Sequence, residues 1–230
     1  MDPLELLARA RIFEGVSAAE IESLRPAVRV RAFARDSPVF REGDPGSHLY
    51  IVASGQVKIT RIAPAGGEIV FAVIGPGEVF GELSLFEEEG ERSADAIALE
   101  PTECVLVARS AVLRFLQEHP ALLLRLVSSL VAYIQRKDRA LAEVAFLDIP
   151  GRVAGKLLEL AASRGAPEPG GIVIRMPLSQ RTLAGMIGAS RENVNRALHR
   201  FTELGYIRHS RGTITVLNPD ALRRRSATAE

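Results

Sequence analysis

From about residue 28 to residue 110 the chain alternates short apolar runs with glycine-rich breaks. The runs are VRVRAF, HLYIVA, VKITRI, EIVFAVI, ADAIALE and CVLVA; the breaks are EGDPGS, SG, PAGG and GPGE. Many short strands separated by regular turn signals predict an antiparallel sandwich or barrel, and no alternation of strands with helices points to a doubly wound sheet. On either side the period lengthens. Leu4, Leu7, Ile12, Phe13, Ile21 and Leu24 make a helical stripe over residues 4–24, with Ser17 placed to cap its second part. After His119-Pro120, apolar residues recur at 123, 127, 130, 134, 141 and 144, interrupted at Lys137. One apolar stripe on a long helix predicts a partner helix, here from a second copy of the chain; a helix packed on its own domain is the alternative.

Asp148 and Pro150 are a suitable N-cap and first-turn residue for a new helix over 152–164, with Val153, Leu157, Leu158, Leu160 and Ala161 inward. The following GAPEPGG is expected to be a loop, and the tail RRRSATAE is expected to fray.

Composition narrows the function classes. A chain of 230 residues, 47% hydrophobic and 25% charged, fits one large or two small globular domains. The net charge of +1 hides an asymmetry: 16 Lys and Arg against 21 Asp and Glu over residues 1–147, then 13 against 7 over 148–230. Only the basic back part is suited to a polyanion. The single cysteine, Cys104, excludes an internal disulfide and a cysteine-held zinc or iron–sulfur site, and the histidines at 48, 119, 199 and 209 lack metal-ligand spacing. The N-terminus MDPLELLARARIF lacks the apolar core of a signal peptide. The longest apolar run, ALLLRLVSSLVAYI, is interrupted by Arg125 and too short to span a bilayer, so a cytoplasmic protein with no membrane partner is expected.

The basic part carries the most specific motif. In SQRTLAGMIGASRENVNRALHRFTEL, Ser179 can cap a first helix, and Ala184, Gly188 and Val194 occupy the fifth, ninth and fifteenth places from Gln180. A helix-turn-helix needs a small residue at the helix crossing, a glycine at the turn and an apolar residue that locks the second helix down. Ser190 can cap that second helix, which places Arg191, Glu192 and Asn195 or Arg196 near the end that enters a major groove. Arginine can pair with both guanine acceptors, and glutamate can accept from cytosine N4. Arg200, further along the same helix, completes the candidate DNA-contacting set. YIRHSRGTITVL then supplies two short β runs around an Arg-Gly turn, a wing. An exposed charged helix with ordinary caps would explain the arginines but not this spacing. Two such modules in a dimer would meet half-sites one helical turn, roughly 34 Å, apart.

Three segments together resemble the cyclic AMP receptor protein and Fnr superfamily of transcription regulators, closest to its cyclic AMP receptor branch. GELSLFEEEGERSA is similar to that branch's phosphate-binding cassette, AFLDIPGRVA to its hinge, and GASRENVNRAL to its recognition helix, with Arg191, Glu192 and Arg196 on the base-reading positions. The resemblance spans about residues 10–218. It implies an α+β chain in three parts: a β jelly-roll effector domain of cyclic-nucleotide-binding type over 1–118, a dimerisation helix over 119–147, and a winged helix-turn-helix over 148–230. It further implies a homodimer, a two-fold operator similar to TGTGA…TCACA, RNA polymerase as a further partner, and cyclic AMP or another cyclic nucleotide as ligand. The cassette residues are Gly81, Glu82, Leu83, Arg92 and Ser93. A cyclic phosphodiester carries one negative charge, which a buried site must meet with a paired cation and several donors. Arg92 can supply the fork, Ser93 a hydroxyl and a backbone N–H, and a short helical turn after Gly81 more N–H groups; Glu82 can accept from a ribose hydroxyl. The acids 87–89 are expected to be a solvated turn. A structural Arg–Glu pair in a domain that has lost its ligand is the competing reading.

The long helix departs from the family pattern. Cyclic AMP binders of this branch place there an arginine and, four and five residues on, a neutral Thr-Ser or Thr-Asn pair; the matching positions hold Tyr133, Lys137 and Asp138. Arg136, three residues after Tyr133, lies roughly on the same face and can substitute for the arginine. Three outcomes stand open: cyclic AMP in an altered geometry, another nucleotide, or a ligand-free dimer lock made by Lys137 and Asp138. Iron–sulfur sensing of the Fnr type needs several cysteines, and haem sensing needs Cys and His near the cassette, where only Cys104 lies. The functional alternatives are a regulator controlled by its abundance and, more remotely, a regulatory subunit of an enzyme. No nucleophile–base pair, metal cluster or phosphate-binding Gly-Lys-Ser/Thr loop points to catalysis.

Overall fold

The computed structural model describes residues 2–62, 67–86, 90–174, 179–210 and 213–227. It divides into two units: Met1–Arg61 with Phe71–Tyr133, and Ile62–Val70 with Ile134–Glu230.

In the first unit, α1 (Pro3–Arg9) is capped by the Asp2 side chain, which accepts from the Leu4 N–H, and α2 (Ala18–Glu22) begins with a reciprocal capping box between Ser17 and Glu20. The helical stripe expected over residues 4–24 is therefore broken. A single 3₁₀ turn at Arg11–Phe13 and Gly15, at φ +80°, redirect the chain between the two helices. The apolar residues of the stripe nevertheless enter one core.

Among the described residues eight strands follow, all in this unit except for the end of β4 and the start of β5: β1 (Val28–Phe33), β2 (Pro38–Phe40), β3 (His48–Ser54), β4 (Val57–Ile62), β5 (Glu68–Ile74), β6 (Val79–Phe80), β7 (Asp95–Ala98) and β8 (Thr102–Ala108). They form two four-stranded sheets, ordered β1-β8-β3-β6 and β2-β7-β4-β5. Each described pairing is antiparallel, as in the Leu49–Val107 and Ile51–Val105 register of β3 with β8. Both faces of this pair are buried. Leu49, Ile51, Val105 and Val107 pack toward the helices, against Phe13 and Phe115. Tyr50, Val52, Cys104 and Leu106 point between the sheets, against Phe40, Val57, Phe80 and Ala96. Burial pushes the Cys104 thiol up to about 12.

α3 (Arg109–Glu118) leads into α4 (Pro120–Phe146), a helix of 27 residues. Leu122 and Leu126 are buried in the helix-side core, whereas Leu123, Val127, Val131, Ile134, Leu141 and Val144 are exposed. No helix among the described residues is long and apolar enough to cross a membrane.

In the second unit, Asp148 caps α5 (Ile149–Arg164) by accepting from the Gly151 N–H at 2.8 Å. The segment GAPEPGG, expected to be a loop, is instead half of a hairpin: β9 (Gly165–Glu168) pairs with β10 (Gly171–Ile174), and Gly170 turns at φ +94°. β9 covers the outer edge of β10, whose other edge carries a strand of the wing, so the backbone groups on both sides find partners. α6 (Gln180–Ile187) and α7 (Arg191–Glu203) form the two-helix motif, followed by β11 (Ile207–Ser210) and β12 (Thr213–Val216) in a sheet ordered β11-β12-β10-β9. The Arg211-Gly212 turn of the wing and the acids 87–89 lie outside the described residues. Of the tail RRRSATAE, expected to fray, the part up to Ala227 is helical in α8 (Pro219–Ala227), where Ala221 and Leu222 are buried and Arg225 pairs with Asp148; residues 228–230 lie outside the described residues.

Ile51 is fully buried at the centre of β3. Ile51→Ala is expected to cost about 2–5 kcal/mol, seen as a lower urea midpoint for the first unit at unchanged slope.

Candidate effector cassette and nucleic-acid interface

The cassette is organised around Arg92. Its guanidinium is buried, only 3% of the residue being exposed. Nη1 donates to the Gly81 carbonyl and to Ser84 Oγ, both at 2.8 Å, and Nη2 donates to the His48 carbonyl at 2.6 Å. The cation lies over the Phe40 ring at 4.3 Å and the Tyr50 ring at 5.3 Å. Nε is buried with no hydrogen-bond partner among the described residues, and no carboxylate is ion-paired to this guanidinium there. Burial pushes the group down from its usual value, while Tyr50 and Glu82 oppose that shift.

Local backbone makes room for it. Gly81 is at φ +79°, and a Cβ there would lie 2.6 Å from Arg92 Nη1, so only glycine lets the guanidinium reach the carbonyl. The turn at Gly43–Gly46 holds the other side: Gly43 N–H donates to the Arg92 carbonyl at 2.8 Å, and Arg92 N–H to the Asp44 carbonyl at 2.9 Å. Glu82 starts a 3₁₀ turn at Leu83–Leu85. It is half-buried, and burial pushes its carboxyl up, an effect that Arg92 partly offsets.

The structure thus brings Gly81, Glu82 and Arg92 together. Leu83 and Ser93 are exposed, and the Ser93 carbonyl accepts from Arg61 at 3.0 Å. Sequence reasoning missed Ser84, Tyr50, Phe40 and the His48 carbonyl; Tyr50 in HLYIVA and Phe40 in PVF read as ordinary strand aromatics and carry no mark of a cation beneath them. On α4, Tyr133 and Lys137 are half-buried, and Arg136 and Asp138 are exposed. Burial, then the charges of Lys156 and Arg136, hold the Lys137 ammonium below its usual value.

In the second unit, Ser179 caps α6 by accepting from the Thr182 N–H at 3.0 Å, and Ser190 caps α7 by accepting from the Asn193 N–H at 3.3 Å. Gly188 joins the helices in the left-handed conformation, φ +63° and ψ +46°. Val194, Ala197, Leu198 and Phe201 face inward; Arg191, Glu192, Asn195, Arg196 and Arg200 are exposed on the other side of α7. Arg200 pairs with Glu203 at 3.6 Å. Two contacts escaped the sequence. Arg152 of α5 donates to the Ile187 carbonyl at 2.6 Å, capping the end of α6, and Gln180 donates from Nε2 to Asn195 Oδ1 at 2.8 Å. Among the described residues no group of three or more His, Cys, Asp or Glu side chains is placed to hold a metal.

Residues 30–119 match the cyclic nucleotide-binding domain family, and residues 151–225 match the Crp-like helix-turn-helix domain family. The chain is 38% identical over 222 residues to a CRP-like cAMP-activated global transcriptional regulator of Mycobacterium tuberculosis, covering 96% of this chain and 99% of the relative. It is 35% identical over 205 residues to the cyclic AMP receptor protein of Thermus thermophilus, covering 89% and 91%. Among solved structures, the c-di-GMP responsive global regulator CLP of Xanthomonas campestris is similar at a TM-score of 0.75 and 26% identity, over 87% of this chain and 99% of that one.

The position of Glu82 sets a pH dependence. A carboxyl that titrates above its unfolded value stabilises the fold most below the unfolded value, and the contribution is lost as pH rises through the raised folded value. Glu82→Gln is therefore expected to be more stable than the parent at neutral pH, with the difference vanishing below the ordinary carboxylate range. Thermal melts across a pH series check this.

Proposed function

The chain belongs to the Crp/Fnr family of transcription regulators, DNA-binding proteins rather than enzymes, and from that premise we propose that it acts as a homodimer gated by a cyclic nucleotide. Residues 1–118 are the effector part, 119–147 the dimerisation helix and 148–230 the DNA-binding part; the operator is a TGTGA-like palindrome, and RNA polymerase is the partner on which the bound dimer acts.

The observation that carries this reading is the state of Arg92: a buried cation held by carbonyls, a hydroxyl and ring faces, with its Nε lacking a hydrogen-bond partner among the described residues. A buried charge without a counter-ion is costly, so an arriving anion gains more here than it would at the surface. A cyclic phosphodiester fits that demand, with Arg92, Ser84 and Ser93 as its donors and Glu82 as acceptor for a ribose hydroxyl. The names of the Mycobacterium and Thermus relatives favour cyclic AMP; that of the Xanthomonas protein allows a cyclic dinucleotide. Tyr133, Arg136, Lys137 and Asp138 are the residues that would distinguish them. The exposed apolar stripe of α4 supports the dimer, because a second copy would remove it from water. Arg191, Glu192 and Arg196, exposed near the capped start of α7, support base reading, with Ser179, Ser190, Asn195 and Arg200 beside them.

Gating is a shift of population: the ligand must bind the DNA-competent arrangement more tightly than the other. Fluorescence anisotropy at fixed salt tests it, using the nucleotide-stripped protein, a TGTGA-type palindrome and, in turn, no ligand, cyclic AMP, cyclic GMP and a cyclic dinucleotide. One ligand is expected to tighten binding about tenfold, a coupling of about 1.4 kcal/mol. Arg92→Ala should lose that response while keeping non-specific DNA binding. Tight binding that is equal under all four conditions would identify a regulator controlled by its abundance instead. For the dimer, Leu141→Glu is expected to leave a folded monomer in sedimentation velocity with operator affinity lost, since Leu141 is exposed in the single chain.

A further inference from the structure

Gln180 is the first residue of α6, and Asn195 is exposed on α7, four residues after Arg191 and next to Arg196. The amide of Gln180 donates from Nε2 to Oδ1 of Asn195 at 2.8 Å. A side-chain amide has two unlike ends, an oxygen that accepts and an NH₂ that donates. An unrestrained asparagine in a major groove uses both ends at once, accepting from adenine N6 while donating to adenine N7. Here the accepting end is held by the neighbouring helix, and in a planar amide the NH₂ then projects to the opposite side.

We propose that Gln180 is a specificity-determining residue: by holding Asn195 Oδ1, it presents the Asn195 NH₂ to the DNA and makes this position a reader of acceptors. The base it selects is guanine or thymine, whose major-groove edges offer acceptors, and not the adenine that asparagine ordinarily prefers. Gln180 acts through Asn195 and is a positioning residue. The inference rests on the reading that α7 enters the major groove.

The test exploits the two-ended amide. In Gln180→Glu the carboxylate can only accept, so it draws Asn195 Nδ2 toward itself and turns Oδ1 outward. An acid in the first turn of a helix is favourable, so the variant should fold. The operator affinities of the parent, Gln180→Glu, Gln180→Ala, Asn195→Ala and Arg196→Ala would be measured by anisotropy at fixed salt. The probes are duplexes in which each position of the TGTGA-like half-site and its flanks is changed in turn to all four bases. At one position the parent should favour guanine or thymine by roughly 5- to 10-fold, the scale of a single base contact. Gln180→Glu should invert that preference toward adenine or cytosine at this position alone. Gln180→Ala should move it toward adenine, and Asn195→Ala should flatten it. The proposal is overturned if Gln180→Glu keeps the parent's base profile at every position, or if the parent favours a base donor where Asn195 reads. Arg196→Ala separates the two levels. If it abolishes discrimination at its own base pair while Gln180→Glu changes nothing, groove reading by α7 stands and the role of Gln180 fails. If it leaves all discrimination intact, the groove reading fails and takes the role of Gln180 with it.

Discussion

A guanidinium cannot sit in an apolar interior without partners, and much of the first unit is arranged to supply them to Arg92. Two carbonyls, a hydroxyl and two aromatic faces surround it. Each imposes a condition elsewhere. The Gly81 carbonyl is reachable only because residue 81 has no Cβ and sits at positive φ. The His48 carbonyl is available at the start of β3. Tyr50 and Phe40 can turn their rings to the cation only while they also fill the space between the sheets, where Tyr50 stacks on Phe80 at 5.0 Å. The same guanidinium therefore joins the start of β3, the 3₁₀ turn after β6 and the inner core. An anion that drew it away from any of these partners would disturb all three, which is how a single charge can be felt beyond its own contacts.

The second unit solves a different problem, that of holding a short recognition helix at a defined angle. α7 presents polar side chains on one side and Val194, Leu198 and Phe201 on the other. The Gly188 turn fixes its entry, Arg152 closes the end of α6, and α8 lies along α5 with Arg225 on the Asp148 cap. Gly185 of α6 contributes by being small: a Cβ there would come within 2.7 Å of Val70, in the Ile62–Val70 segment that clusters with this unit. A bulkier residue at 185 would push that segment off the helix.

The sequence made some of this visible and hid the rest for physical reasons. Strands β1, β3, β4, β5, β7 and β8 carry a period of two or a continuous apolar run between glycine turns, so their existence could be read directly. β2 and β6 span three and two residues, too few for any period. The hairpin in GAPEPGG was hidden because its pairing depends on β10, and proline and glycine suggest a loop wherever a partner strand is not known. The helix-turn-helix was legible since its spacing of Ala184, Gly188 and Val194 follows from one packing geometry. In the cassette, Gly81, Glu82 and Arg92 were legible through the resemblance of GELSLFEEEGERSA to a phosphate-binding cassette. The inward course of the guanidinium could not, because it depends on carbonyls 11 and 44 residues away in the chain. The Gln180–Asn195 contact spans 15 residues across a turn and is likewise invisible to local pattern.

Cys104 offers a separate handle on the molecule. Its side chain is sealed between the sheets, and at a value near 12 its thiol is almost wholly protonated at neutral pH. The thiolate is the form that attacks disulfides and alkylating reagents, so the closed protein is chemically silent toward them. It becomes reactive only when β8 parts from its neighbours. As the chain has a single cysteine, the rate of its modification is a clock for the opening of the first unit alone, blind to events in the second. Slowing of that clock by a bound nucleotide would register occupancy of the jelly roll without any DNA present.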